Sequence, residues 1–239
     1  MILLFSLAEV GVRFLWLRRG GRLQLWQRAQ WLHVACRIVL RRIGMQVNSR
    51  GTRPAGGLIC SNHLSYLDIL VFAATVPCVF VSKREVRRWL AFGFFARCGG
   101  TIFVDRQSHT SAGQATRQMA EVLREGVPIL LFPEGTSTDG SRVERFHATL
   151  LEPAVHLAME MTAAAIGYRV RGGQERDICW YGDAPFASHL LRTLAHSGLT
   201  AEVEFFPDSL VDSDRKAAAL QLHQQVEAMR NRITRTEPA

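Results

Sequence analysis

The stretch "GLICSNHLSYLD" at residues 57–68 joins a short apolar run to a polar segment. An apolar run that stops at polar side chains is typical of a buried strand ending in a loop. Asp68 follows His63 by five positions. If a helix begins near Leu64, this step spans little more than one turn, and the carboxylate folds back toward the imidazole. The stretch therefore predicts a strand, a loop and a helix, with a hydrogen bond between His63 and Asp68.

Such a carboxylate would fix the tautomer of His63 and leave the other ring nitrogen as a base. An unperturbed imidazole has a pKa of about 6.5, close to what proton abstraction at neutral pH requires. Taken alone, the same residues also fit a helix capped by Ser61 or Asn62, with His63 in an ordinary turn. The spacing by itself leaves both interpretations open.

Short apolar runs alternate with helical patterns beyond residue 50. The helical segments are Thr110 to Arg124, Ala148 to Met161 and Ser213 to Thr234. This alternation predicts an α/β domain with a mostly parallel central sheet flanked by helices. The apolar runs are "GLIC" (57–60), "CVFVS" (78–82), "TIFVD" (101–105), "VPILLF" (127–132), "AAAIGY" (163–168) and "AEVEFF" (201–206).

Polar clusters follow three of these predicted strands. Chemistry in parallel sheets gathers in the loops beyond the carboxyl ends of the strands, so the clusters should converge on one edge. They consist of His63 after the first strand, Asp105 and Arg106 after the third, and Glu134, Gly135 and Thr136 after the fourth.

The second and third clusters are suited to anions. A guanidinium at Arg106 offers a planar fork for phosphate oxygens, although an ion pair with Asp105 is an equally good reading. Gly135 allows close backbone approach, and amides near it could hold an anion or the oxyanion of a reacting carbonyl. Asp139 and Gly140 fit a plain turn.

The positive charge of the chain is concentrated at its N-terminus. Residues 1–50 hold nine Arg, no Lys and one acid, which gives 9 − 1 = +8, the same as the net charge of the whole chain. These arginines are interleaved with tryptophans and aliphatic residues, a composition that favours an anionic membrane surface over nucleic acid.

Two N-terminal segments fit such a surface. Met1 to Leu17 is interrupted by Glu9 and Arg13, so it is predicted to lie on or dip into the membrane, with a distorted span as the alternative. Residues 25–43 carry an apolar helical stripe toward the core. Trp31, Val34 and Ile38 form a second apolar face, which fits lipid or, in a fully buried helix, more of the core. We predict a membrane-associating segment at 1–50 and a catalytic domain at 51–239.

The five cysteines are odd in number, widely spaced and mostly embedded in apolar runs. Neither a metal knuckle nor a disulfide framework follows from this pattern. A reducing setting is therefore predicted, with the catalytic domain on the cytoplasmic side of the inner membrane.

Together the three clusters resemble the glycerolipid acyltransferases typified by 1-acylglycerol-3-phosphate acyltransferase. The resemblance rests on the order N-H-x-x-x-x-D, I-F-V-D-R and F-P-E-G-T, and it extends to "CWYGDAPF" at 179–186. It implies transfer of a fatty acyl group from a thioester of coenzyme A or acyl carrier protein to the free hydroxyl of a lysolipid. No metal or bound cofactor is expected.

The resemblance also implies residue roles. His63 would be the general base and Asp68 its orienting partner. The acceptor's phosphate and glycerol region would be bound by Arg106, Glu134, Gly135 and Thr136, with Lys83 adding positive charge.

The acceptor favoured by the resemblance is lysophosphatidic acid, giving phosphatidic acid. Two departures from the family pattern, at 145–147 and 162–168, keep lyso-ornithine lipid, which lacks a phosphate, as an alternative. Alternatives of another class are a thioesterase or lipid hydrolase, in which His63 activates water, and a non-enzymatic lipid-binding protein. The sequence contains no Gly-x-Ser-x-Gly nucleophile elbow, so no serine nucleophile of that kind supports the hydrolase.

Overall fold

A seven-stranded sheet forms the centre of the computed structural model, which describes residues 2–105 and 109–235. The strands are β1 (Gln46–Arg50), β2 (Leu58–Ser61), β3 (Val79–Lys83), β4 (Ile102–Val104), β5 (Ile129–Leu131), β6 (Met161–Val170) and β7 (Leu199–Phe205). Their order is β1-β7-β6-β2-β5-β3-β4, and all neighbours run parallel except β6 and β7. The predicted fold class, a mostly parallel sheet flanked by helices, is confirmed.

Each of the six apolar runs became a strand, whereas β1 was not predicted. Its sequence, "QVNSR", is polar because β1 lies at the edge of the sheet and pairs with β7 alone. Its side chains are never fully buried. An edge strand of this kind carries no apolar signature, so pattern reading misses it. The predicted boundary at residue 50 falls at the end of this strand.

Helices cover both faces of the sheet. They are α1 (Ile2–Arg18), α2 (Leu25–Arg42), α3 (Leu67–Thr75), α4 (Leu90–Cys98), α5 (His109–Arg124), α6 (Glu152–His156), α7 (Phe186–Ala195) and α8 (Arg215–Arg235). The predicted helices at 25–43, 110–124 and 213–234 match α2, α5 and α8 to within two residues.

The predicted helix from Ala148 to Met161 was wrong in length. A 3₁₀ turn and the five-residue α6 occupy its first part, and Met161 already begins β6. The chain leaves the helical conformation at Ala158, whose φ is +50°. An apolar helix end and an apolar strand start are hard to separate by pattern, because both are buried.

Alternate residues of the central strands feed two separate cores. Ile59 and Leu130 pack with α1 to α4, whereas Leu58 and Ile129 pack with α5, α6 and α8. This alternation is the ordinary consequence of the two-residue period of a strand. The five cysteines are free and buried within this packing.

The N-terminal helices pack on the domain through part of their apolar surface. Trp31, predicted to face lipid, is instead buried between Phe14 of α1 and Phe95 of α4, with ring centroids 4.8 and 5.8 Å away. Val34 is exposed as predicted. Within the described ranges, every helix falls short of the length or apolar character that crossing a bilayer requires.

Apolar side chains remain exposed on α1 and α2. Trp16 is among the most exposed, with 69% of its surface open. Cations lie among them, including Arg13 and Arg19. The other exposed apolar residues are Phe5, Val12, Leu15, Leu17, Trp26 and Val34.

Candidate active site

His63 and Asp68 form the hydrogen bond that the sequence predicts. The His63 Nδ1 atom lies 2.7 Å from Asp68 Oδ2, and Asp68 is fully buried. The helix begins at Leu67 rather than near Leu64. The segment before α3 turns back on itself, and this turn brings the two side chains together.

The Asp68 carboxylate accepts hydrogen bonds on both oxygens. Besides His63, Oδ2 accepts the backbone N–H groups of Leu64 at 2.7 Å and Ser65 at 3.0 Å. The hydroxyl of Tyr168 donates to Oδ1 at 2.5 Å. An ionised carboxylate is an acceptor only, so His63 carries its proton on Nδ1 and presents a free lone pair at Nε2.

Two other contacts fix the position of His63. Its ring stacks on Phe132, with centroids 4.0 Å apart and planes 13° from parallel. Its backbone N–H donates to Glu134 Oε1 at 2.6 Å. The imidazole is thus held at its face, at its edge and through its main chain, which limits the orientations open to Nε2.

Asn62 does not cap a helix. Its side chain binds the backbone of Ile166 in β6, donating from Nδ2 at 3.0 Å and accepting at Oδ1 at 2.9 Å. The residue before His63 is therefore clamped to the neighbouring strand. Because Tyr168 lies two residues further along β6, the same clamp sets the distance between Tyr168 and Asp68.

Glu134 lies behind the site rather than on its surface. Only 4% of the residue is exposed. Its second oxygen, Oε2, accepts the Glu144 N–H at 2.7 Å, so the carboxylate joins the loop after β2 to the loop after β5. Burial raises the pKa of Glu134 to about 7, although the two backbone N–H groups act in the opposite direction.

Gly135 adopts a conformation that favours glycine, with φ of +77°. Its N–H donates to the Phe132 carbonyl at 3.1 Å, so this amide is part of the turn after β5. That amides near Gly135 hold an oxyanion stays a prediction.

A cavity of about 550 Å³ opens over His63. The carboxyl ends of β2, β3, β4 and β5 meet here because these strands run parallel. Of the predicted residues, His63, Lys83, Gly135 and Thr136 line the cavity, and so does Asp105. Arg106 lies outside the described residues. Asp105 pairs with Arg84 at 3.2 Å.

The cavity wall is largely apolar and aromatic, which pattern reading did not anticipate. Trp180, within the "CWYGDAPF" segment, lines the cavity and donates its backbone N–H to the Leu64 carbonyl at 2.8 Å. The position of Phe132 at the end of the apolar run before the Glu134 cluster was a signal that it contributes to the cavity wall. The remaining apolar lining residues are Tyr66, Ile69, Val81, Val86, Trp89, Phe92 and Val104.

Comparison with known proteins gives concordant results. A family model described as "Acyltransferase" matches residues 45–168. A lyso-ornithine lipid O-acyltransferase from Rhizobium meliloti (strain 1021) is 30% identical over 230 residues, covering 91% of this chain and 77% of the relative. Three further relatives with the same name are 32% to 36% identical.

A 1-acyl-sn-glycerol-3-phosphate acyltransferase from Neisseria gonorrhoeae is 28% identical, covering 78% of this chain and 74% of the relative. Among solved structures, a 1-acyl-sn-glycerophosphate acyltransferase from Thermotoga maritima superposes with a TM-score of 0.73 at 16% identity. That alignment covers 100% of this chain and 97% of the other. It establishes that the two proteins share a fold.

Proposed function

The chain belongs to the acyltransferase family, and on that basis we propose that His63 deprotonates the free hydroxyl of a lysolipid for direct attack on an acyl thioester. The observation that carries the proposal is the pairing of His63 with the buried Asp68 at the base of a cavity. Nε2 is the ring nitrogen left for the acceptor hydroxyl.

The reaction proceeds by direct transfer. His63 takes the hydroxyl proton as the oxygen attacks the thioester carbonyl, and a C–O bond forms. The tetrahedral intermediate then collapses, the C–S bond breaks, and the imidazolium returns the proton to the departing thiolate. Asp68 stabilises the imidazolium between these steps. A thioester is already activated, so the reaction requires neither metal nor bound cofactor.

The acceptor that we favour is lyso-ornithine lipid. An N-acylated ornithine carries one carboxylate and one ammonium. The cavity lining offers both signs of charge, with Lys83 as a cation and with Glu85 and Asp105 as acids, of which Asp105 pairs with Arg84. Four relatives bear the name of this activity. Both observations support a zwitterionic headgroup.

Lysophosphatidic acid is the second candidate. A relative with the corresponding name is 28% identical, and Lys83 offers a cation to a phosphate. The carboxylate of Glu85 in the cavity lining opposes a dianionic headgroup, which is why this acceptor takes second place. It was the first choice on sequence resemblance alone.

The acyl donor is proposed to be a thioester of coenzyme A or acyl carrier protein, and the site to lie at an anionic membrane surface. Support comes from the exposed Trp16 and Leu15 and the cations near them on α1. A protein docked by this surface on the cytoplasmic side would receive its lysolipid directly from the bilayer.

The experiment that tests the reaction class measures thiol release from palmitoyl-CoA in detergent, with and without each lysolipid. We expect release only when an acceptor is present, with an equal amount of acylated product by mass spectrometry. Thiol release without an acceptor would indicate a hydrolase. A larger kcat/KM for lysophosphatidic acid than for lyso-ornithine lipid would reverse the order of the two acceptors.

A further inference from the structure

A second cleft, of about 480 Å³, lies beside the catalytic cavity. Its lining consists of Trp89 and four arginines, Arg84, Arg87, Arg88 and Arg97, and we call it the arginine cleft. Trp89 also lines the catalytic cavity, and Arg84 pairs with Asp105, which lines that cavity too. The two spaces are therefore adjacent and share Trp89.

The arginine cleft is held in shape by backbone contacts. A 3₁₀ turn at Arg84–Arg88 packs against α4 at Gly93, where an added Cβ would lie 2.4 Å from the Arg87 carbonyl oxygen. Arg97 donates to the same oxygen at 2.7 Å. Arg28 of α2 in turn donates to the Cys98 carbonyl at 2.9 Å. The guanidinium of Arg97 is thus anchored beside the turn that carries the other three.

The charge of this segment is one-sided. Residues 84–97 contain four arginines and one acid, Glu85. Guanidinium groups gathered around one cleft repel each other, and a bound anion relieves that repulsion. The planar fork of arginine matches phosphate oxygens and binds them with charge-assisted hydrogen bonds. The cleft therefore has the chemistry of a phosphate site.

We propose that the arginine cleft binds the phosphate of the acyl donor's pantetheine arm. This inference rests on the proposed function, because it assumes an acyl thioester as donor. Coenzyme A and acyl carrier protein both hold the acyl group on a phosphopantetheine arm. A favoured acceptor without phosphate leaves the donor as the reactant that supplies one. The arm would pass Trp89 from the arginine cleft to His63.

Two other anions compete for this assignment. The phosphate of lysophosphatidic acid is one, and the headgroups of an anionic membrane are the other. If the cleft binds the acceptor phosphate, loss of the arginines should raise the KM of the acceptor. If it binds membrane headgroups, the loss should weaken vesicle binding. The three cases are separable because a donor can be made with no phosphate at all, as the thioester of N-acetylcysteamine.

The test compares wild type with the Arg87→Gln/Arg88→Gln variant, using palmitoyl-CoA, palmitoyl acyl carrier protein and palmitoyl-N-acetylcysteamine. We expect kcat/KM to fall at least tenfold for the phosphorylated donors and to change less than twofold for palmitoyl-N-acetylcysteamine. A loss with both carriers indicates the shared phosphate, whereas a loss with one carrier alone would assign the cleft to another part of that carrier and overturn the proposal. An Arg87→Lys/Arg88→Lys variant should restore part of the activity.

The matched control is Arg124→Gln/Arg235→Gln, which removes two exposed cations from the ends of α5 and α8. It should leave all three donors unaffected. Equal losses with all three donors in the cleft variant, a higher KM for the acceptor alone, or a loss confined to vesicle binding would each overturn the proposal.

If the proposed function is wrong, wild type should form no ester product with any donor. The arginine cleft can still be tested in that case by titrating coenzyme A into wild type and the cleft variant, because binding is measured without turnover. We expect the dissociation constant to rise at least tenfold in the Arg87→Gln/Arg88→Gln variant. Unchanged affinity would contradict the proposal.

Discussion

Tyr168 and Asp68 lie 100 residues apart in the chain, and the tyrosine hydroxyl donates to Asp68 Oδ1 at 2.5 Å. Both side chains are buried, and burial together with the Asp68 carboxylate raises the pKa of Tyr168 well above its usual value. Tyr168 therefore remains a proton donor throughout the working pH range. In the proposed reaction Tyr168 would act through Asp68, as a positioning residue.

Replacing Tyr168 by Phe should lower kcat at least about tenfold, since hydrogen bonds to charged groups contribute roughly 1.5–3 kcal/mol. With one donor lost, Asp68 concentrates more negative charge toward His63 and favours the imidazolium form. The acidic limb of the kcat/KM pH profile should therefore move to higher pH. The measurement is the full profile with a saturating acyl donor.

The control for this prediction is Tyr181→Phe, which removes the hydroxyl that accepts from Arg176 at 2.7 Å. It should change neither kcat nor the pH profile. A Tyr168→Phe enzyme that loses activity with an unshifted profile would indicate that Tyr168 merely supports the fold.

Glu134 should make stability depend on pH. Its pKa rises from 4.5 to about 7 on folding, so between these values the folded state keeps a proton that the unfolded chain has released. The stabilisation is present below pH 4.5 and is lost as pH rises to 7, with a total of up to about 3 kcal/mol. Urea unfolding across this range measures it.

The comparison protein is Glu134→Gln, which cannot titrate at this position. Across the same pH interval its free energy of unfolding should fall less than that of wild type. It also loses one of two backbone hydrogen bonds, because one side-chain amide atom is a donor, so it should be less stable at every pH. Parallel stability curves for the two proteins would refute the assignment.

Charge at the cavity mouth should set the acceptor preference. In the proposed complex, Glu85→Gln removes the anion that would pair with the ornithine ammonium, so kcat/KM for lyso-ornithine lipid should fall about tenfold. The same change removes a repulsion toward phosphate and should not reduce activity with lysophosphatidic acid. Lys83→Gln should reduce both activities.

Steady-state assays with each acceptor test this, and Glu125→Gln, an exposed acid outside the cavity lining, is the control. If Glu85→Gln affects both acceptors equally, the mixed charge of the cavity mouth does not select the headgroup.

The exposed apolar surface of α1 should bind membranes. Val12 and Leu15 lie three positions apart and are 64% and 57% exposed. Burying such side chains contributes roughly 1.5–3 kcal/mol each, so Val12→Gln/Leu15→Gln should weaken binding to phosphatidylglycerol vesicles at least about tenfold. Vesicle sedimentation provides the measurement.

Val211→Gln/Leu220→Gln is the matched control, because these residues are 55% and 61% exposed but lie outside the two N-terminal helices. Its binding should equal that of wild type. Equal losses in the two double variants would mean that general surface polarity, rather than α1, governs membrane association.

Local spacing made the centre of the site predictable. His63 and Asp68 are five residues apart, so their contact needs little more than one turn of chain, and the two later motifs favour it over a plain capped turn. The convergence of His63, Asp105 and Gly135 was also accessible, because it follows from parallel strands having their carboxyl ends at one edge.

The residues that complete the site, Tyr168 and Glu134, reach it through tertiary packing, so the sequence alone does not predict their contacts. Tyr168 reaches Asp68 only because Asn62 ties the His63 loop to β6. The polar motif around Glu134 suggests a side chain that binds the acceptor, yet the fold buries Glu134 against two backbone amides. These contacts follow from strand register, which no short window of sequence contains.

The measurement that tests the central claim most directly is ester formation from palmitoyl-CoA and lyso-ornithine lipid by wild type and His63→Ala. The control is His156→Ala, an exposed histidine at the end of α6. Loss of a general base predicts a fall in kcat of about 10²–10⁴-fold for His63→Ala, which should still unfold cooperatively, while His156→Ala should be fully active. Ester formation at the wild-type rate by a folded His63→Ala protein would contradict the account.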